Sequence, residues 1–111
     1  MKHLTFADKS LLMGDDVADL IIEYAAVLAR AGDADTVEVA AYGADGDGVR
    51  AKLLLAEGAP LMAETTHTDL PDPDNSETLM YVREQMMRRS SPPTVQPADA
   101  TMPANYEDLE L

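Results

Sequence analysis

Glu64-Thr65-Thr66-His67-Thr68-Asp69 sets three metal-capable side chains, one of them a histidine, within six residues. On a strand Glu64 and His67 point to opposite faces, and the helical Glu-x-x-His pattern of di-iron bundles needs a second copy that this sequence lacks. His3 is the other histidine. A site joining His3, His67 and a carboxylate is one reading, and solvated strand-end residues are the simpler one. Asp45-Gly46-Asp47-Gly48 begins like a calcium loop, but places five, six and twelve counted from Asp45 hold Val49, Arg50 and Ala56 where ligand, glycine and bidentate acid are required. It reads as a glycine-rich turn, with no Gly-Lys-Ser/Thr to make a phosphate cradle.

Nucleophilic chemistry finds no foothold. Cysteine is absent, and no serine stands in Gly-x-Ser-x-Gly. Ser10, Ser76, Ser90 and Ser91 fall in a turn, near a helix start and in a linker. With 21 carboxylates, any chosen acid pair is uninformative about general acid and base work. The sequence therefore names no catalytic residue, no metal site and no cofactor, and favours a non-enzymatic protein without deciding against an enzyme.

Binding chemistry is better represented. Arg83, Arg88 and Arg89 form the local positive cluster, which reads as dipole-complementing side chains at a helix end or as a seat for an anion. Seven methionines beside one phenylalanine and no tryptophan serve as core filler or as an adaptable apolar surface. Met87 falls off the apolar stripe of its helix and is the candidate surface contact. Tyr106-Glu107-Asp108-Leu109-Glu110-Leu111 sets Tyr106, Leu109 and Leu111 among acids, the pattern of a short segment that orders on a basic, apolar groove.

These side chains need elements to hold them. Composition changes after Arg89, where Ser90-Ser91-Pro92-Pro93 opens a stretch containing Pro97 and Pro103. Residues 1–89 are expected to form one domain and residues 90–111 a Pro-rich, acidic, disordered tail. Apolar steps at Val17, Leu20, Ile21, Tyr24, Leu28 and Ala31 predict a helix over 16–31, capped by Asp15 or Asp16 and ended by Gly32. Alternation through Val37, Val39, Ala41 and through Val49, Ala51, Leu53, Leu55 predicts a hairpin about the glycine-rich turn. Setting Ala41 opposite Val49 brings Glu38 to Lys52 on the outer face, and a two-residue slip is the alternative that keeps the same faces. Residues 61–66 supply a further strand, Leu4 to Met13 a shorter hairpin about Asp8-Lys9, and residues 75–89 a second helix with an apolar Leu79, Val82, Met86 stripe and Asp74 and Glu77 at its start. The order β-β-α-β-β-β-α predicts an α+β domain, a mostly antiparallel sheet of about five strands with two helices on one face.

A net charge of −13 on 111 residues disfavours direct binding to nucleic acid or anionic lipid. No apolar run reaches the roughly 18 residues of a membrane span, no signal peptide is evident, and the expected location is the cytoplasm. Gly14-Asp15-Asp16-Val17-Ala18-Asp19, Ala34-Asp35-Thr36-Val37-Glu38-Val39 and the Asp45-Gly46-Asp47-Gly48 turn resemble short alanine- and aspartate-rich uncharacterised proteins of high-GC bacteria. The resemblance covers roughly residues 1–89 and implies a small bacterial cytoplasmic domain, with no activity carried across.

The first functional expectation is an interaction module that homodimerises through the sheet face away from the helices, with Leu54, Leu12 and Tyr42 at the contact and Leu54 the decisive residue. A second is an acidic inhibitor or antitoxin-like protein that occupies a basic partner's cleft. A third is a small ligand-binding domain or an enzyme of unknown chemistry.

Overall fold

A computed structural model describes residues 1–58 and 60–90; the expected tail contacts Tyr106, Leu109 and Leu111, and residues 91–111 of the expected disordered tail, lie outside the described residues. In chain order the elements are β1 (Lys2–Phe6), β2 (Lys9–Met13), α1 (Asp15–Ala31), β3 (Ala34–Tyr42), β4 (Gly48–Ala56), β5 (Leu61–Thr65) and α2 (Ser76–Ser90). They build the expected α+β architecture, a five-stranded sheet in the order β4-β3-β2-β1-β5 with every neighbouring pair antiparallel.

The period-two pattern sorts the strands into two faces. Leu4, Met13, Val37, Val39, Ala41, Leu53 and Leu55 are buried toward the helices, where Val17, Ile21, Tyr24 and Leu28 of α1 and Val82 of α2 complete the core. Each fully buried aliphatic side chain contributes about 1.5–3 kcal/mol. Leu79 and Met86 flank Val82 against the same cluster, so the apolar stripe of α2 docks as its spacing predicts.

β3 and β4 pair over nine positions, with Ala41 opposite Val49 and Glu38 opposite Lys52 as expected. The ion pair that forms is Glu38 with Arg50, at 3.3 Å. Arg50 sits opposite Ala40, diagonal to Glu38, and its longer forked side chain spans that diagonal. The two halves of the sheet meet at a single pair, Leu12 with Tyr42, because β2 runs out at Met13 and the chain turns into α1.

Helix α1 departs from the expected cap. Gly14 is the N-cap and makes no side-chain hydrogen bond, while Asp15 and Asp16 lie in the first turn, where the helix dipole favours carboxylates. A Cβ on Gly14 would stand 3.0 Å from Asp16 Oδ1 and 3.1 Å from Asp72 Oδ2, a tight fit that those two carboxylates would have to relieve. At the other end Gly32 adopts the left-handed conformation (φ 65°), its N–H reaches Ala29 O and Asp33 N–H reaches Leu28 O, a Schellman closure.

Candidate functional site

Three groupings of polar or exposed side chains could do chemistry or binding, and the fold separates them clearly. The first joins α1, β3 and α2. Asp35 lies on the core-facing phase of β3, where Tyr24 and Tyr81 both donate their hydroxyls to its Oδ2, Tyr81 at 2.7 Å. Arg89 donates to Asp33 at 2.7 Å and lies 6.0 Å from the Tyr24 ring centroid. Burial pushes the Asp35 carboxyl up, but the two tyrosine hydroxyls and the Thr36 N–H outweigh it and hold the group below the ordinary carboxylate range. Burial, reinforced by Asp35, pushes the Tyr24 hydroxyl well above its ordinary value. Acid–base catalysis needs groups tuned toward neutrality, and here acid and phenol are driven apart. The cluster is a clasp that fastens α2 across the start of β3.

The second grouping surrounds His3. Its pairs in the sheet are Leu12 on β2 and Glu64 on β5, and its Nδ1 is buried without a hydrogen bond. His67 is exposed beyond β5. Among the described residues no group of three or more His, Asp or Glu side chains is placed to hold a metal ion.

The third grouping is the border of the sheet at β4. Gly43 N–H donates to Asp47 O at 2.9 Å and fixes the phase of the β3–β4 ladder. Residues 41/49, 39/51 and 37/53 then exchange hydrogen bonds, and the backbone groups of Ala40 and Glu38 on β3, like those of Arg50, Lys52 and Leu54 on β4, point away from the hairpin. On the β3 side three of those groups, both of Ala40 and the carbonyl of Glu38, are satisfied by side chains. The Asn75 amide accepts from Ala40 N–H at 2.7 Å and donates to Ala40 O at 2.8 Å, and Thr78 Oγ1 donates to Glu38 O at 2.6 Å. Asn75 is buried for this purpose, a side chain standing in for a strand. The β4 side has no such cover among the described residues. There the tip of the β1–β2 hairpin leaves a groove of about 380 Å³ against the strand, lined by Phe6, Leu11, Leu53 and Leu54 with Lys9, Lys52 and one acid, Asp8, at its rim. Neither lysine has a salt-bridge partner among the described residues.

The expected contact residues fall in different surroundings. Leu54 is 57% exposed on the outer face beside this groove. Leu12 shares that face but is 8% exposed, and the Tyr42 hydroxyl donates to Pro71 O at 2.8 Å, so both are engaged within the chain where the 66–75 segment passes. Met87 is 69% exposed on α2, in a shallow hollow with Met80 and Arg83. The acids of α1 are partly committed: Asp19 binds Lys2 at 2.7 Å, which raises the Lys2 pKa, and Asp15 binds the terminal ammonium at 3.1 Å.

Sequence reasoning missed the groove walls Phe6 and Leu11, the Asp35 clasp and the edge-sealing Asn75. A signal existed for Asp35, since it shares the odd-numbered phase of Val37, Val39 and Ala41. None existed for Asn75, whose partner lies 35 residues away. No family model matches the chain, and comparison with curated proteins and with solved structures yields no match.

Proposed function

We propose that the protein is a non-enzymatic interaction module that pairs with a second copy of itself through the β4 side of its sheet. The observation that carries this reading is the contrast between the two borders of the β3–β4 hairpin. Asn75 and Thr78 close one, while β4 offers the backbone groups of Arg50, Lys52 and Leu54 beside an exposed leucine and an apolar groove. A long open edge is a liability that folds normally cover, so an edge kept open next to apolar surface is suited to pairing.

Symmetry selects the register. A two-fold axis through Leu54 sets Leu54 against its own copy, Lys52 against Ala56 and Leu53 against Leu55. An axis at Lys52 would instead oppose two lysines. Replacing Leu54 with aspartate then sets two carboxylates face to face without touching the core. Light scattering on Leu54→Asp is expected to give the mass of one chain where the wild type gives two; an unchanged mass sinks the reading.

A further inference from the structure

We infer that residues 106–111 of this chain form the competing occupant of the β4 edge, adding to the sheet as an antiparallel strand. This inference rests on β4 being the interaction edge and supplies its regulation. Asp108-Leu109-Glu110-Leu111 alternates polar and apolar side chains, with Tyr106 two residues upstream on the polar phase, and an added strand must match the faces of β4. The outer-face side chains of β4 whose backbone groups point outward are Leu54, Lys52 and Arg50. An antiparallel register with Asp108 opposite Lys52 places Tyr106 on Leu54 and Glu110 on Arg50, giving one apolar pair, one ion pair with a lysine that has no other salt bridge among the described residues, and a second carboxylate on the guanidinium that already holds Glu38. A two-residue shift in either direction breaks that match, setting Asp108 against Leu54 or Tyr106 against Lys52. Residues of the other phase face the groove. Leu109 falls beside Ala51, where Phe6 and Leu11 form the far wall, and Glu107 turns to the side on which Lys9 stands at the rim.

Chain connectivity permits the approach. α2 ends beside Asp33, which Arg89 binds, and the adjoining Ala34 pairs with Ala56 at the end of β4. A strand entering there runs from Leu54 toward Arg50, the antiparallel sense. The fifteen residues between Ser90 and Tyr106 reach up to about 50 Å when extended, ample for crossing two strands. Charge favours the match, because Lys9 and Lys52 have no salt-bridge partner among the described residues while residues 106–111 carry three acids and no base.

The test is backbone hydrogen exchange at Arg50, Lys52 and Leu54 in the full chain, alongside light scattering at the same concentrations. The variants are Lys52→Glu, Asp108→Lys and the double exchange Lys52→Glu/Asp108→Lys. At the low end of the concentration series, before the wild type climbs to two chains, protection at the mass of one chain is expected, with a loss of about tenfold in either single variant and recovery in the double. Lys52 opposes Ala56 in the dimer register, so the double exchange reports the pairing with residue 108. Protection that is indifferent to Asp108→Lys, and that grows with concentration as the mass doubles, overturns this inference and leaves the dimer standing. Fast exchange at all three amides in every variant and at every concentration overturns both.

Discussion

Asp35 shows how much one residue can decide. It is an acid on the core-facing phase of a strand, held by Tyr24 from α1 and Tyr81 from α2. Its lowered pKa makes its contribution to stability fully present above the ordinary carboxylate value of about 4, and lost as pH falls through the lower folded-state value. The raised tyrosines act in the opposite sense, contributing fully below about 10 and losing the contribution as pH rises through their higher folded-state values. The docking of α2 is therefore strongest between those limits. In Tyr81→Phe the Asp35 carboxyl is expected to titrate closer to the ordinary value, as followed by carbon-detected NMR; an unmoved titration removes Tyr81 from the account. Ala7 is the second decisive residue. It takes φ 57° at the first position of the two-residue β1–β2 loop, a conformation suited to glycine, and it lies at the groove. Ala7→Gly is expected to stabilise the fold by about 1 kcal/mol in denaturant unfolding, and a loss of stability would show that the turn carries no strain.

At the scale of elements, local signals were sufficient wherever a pattern repeated. The helix over 16–31, the faces of β3 and β4 and the stripe of α2 follow from spacing alone, because burial on one face enforces period two or 3.6; the β3–β4 register does not, since a two-residue slip keeps the same faces. What spacing does not carry is how elements meet. Residues 66–75 have no periodicity, yet this segment delivers Pro71 to Tyr42, Asp72 to the neighbourhood of Gly14 and Asn75 to Ala40. The expected start of α2 also shifted, for the same reason. Asp74 accepts the Ser76 N–H at 3.0 Å and so turns the chain, while Asn75 at the cap position gives its amide to β3. Asn75→Ala would orphan the N–H and carbonyl of Ala40 and is expected to cost about 2 kcal/mol in denaturant unfolding. A change below half that figure would mean that this border of β3 needs no seal.

For the whole molecule, acidity sets the background against which a few bare cations stand out. The chain carries a net charge of −13, and its candidate binding groove is rimmed by two lysines. The sequence disclosed the charge and singled out Leu54, but hid the groove, because Phe6 and Leu11 approach β4 only when the sheet halves, joined at Leu12 and Tyr42, bend toward each other. Two such molecules repel at long range, so an apolar centre at Leu54 is the contact that survives, and salt is expected to leave the dimer intact while weakening the pairing of residues 106–111 with β4. The most direct measurement is multi-angle light scattering on the full chain and on Leu54→Asp across a concentration series at low and high salt. The account predicts that the wild type climbs to twice its 12.0 kDa mass at both salts, while the variant stays at 12.0 kDa throughout. A wild type that holds at one chain mass at every concentration, or a variant that climbs with it, contradicts the account.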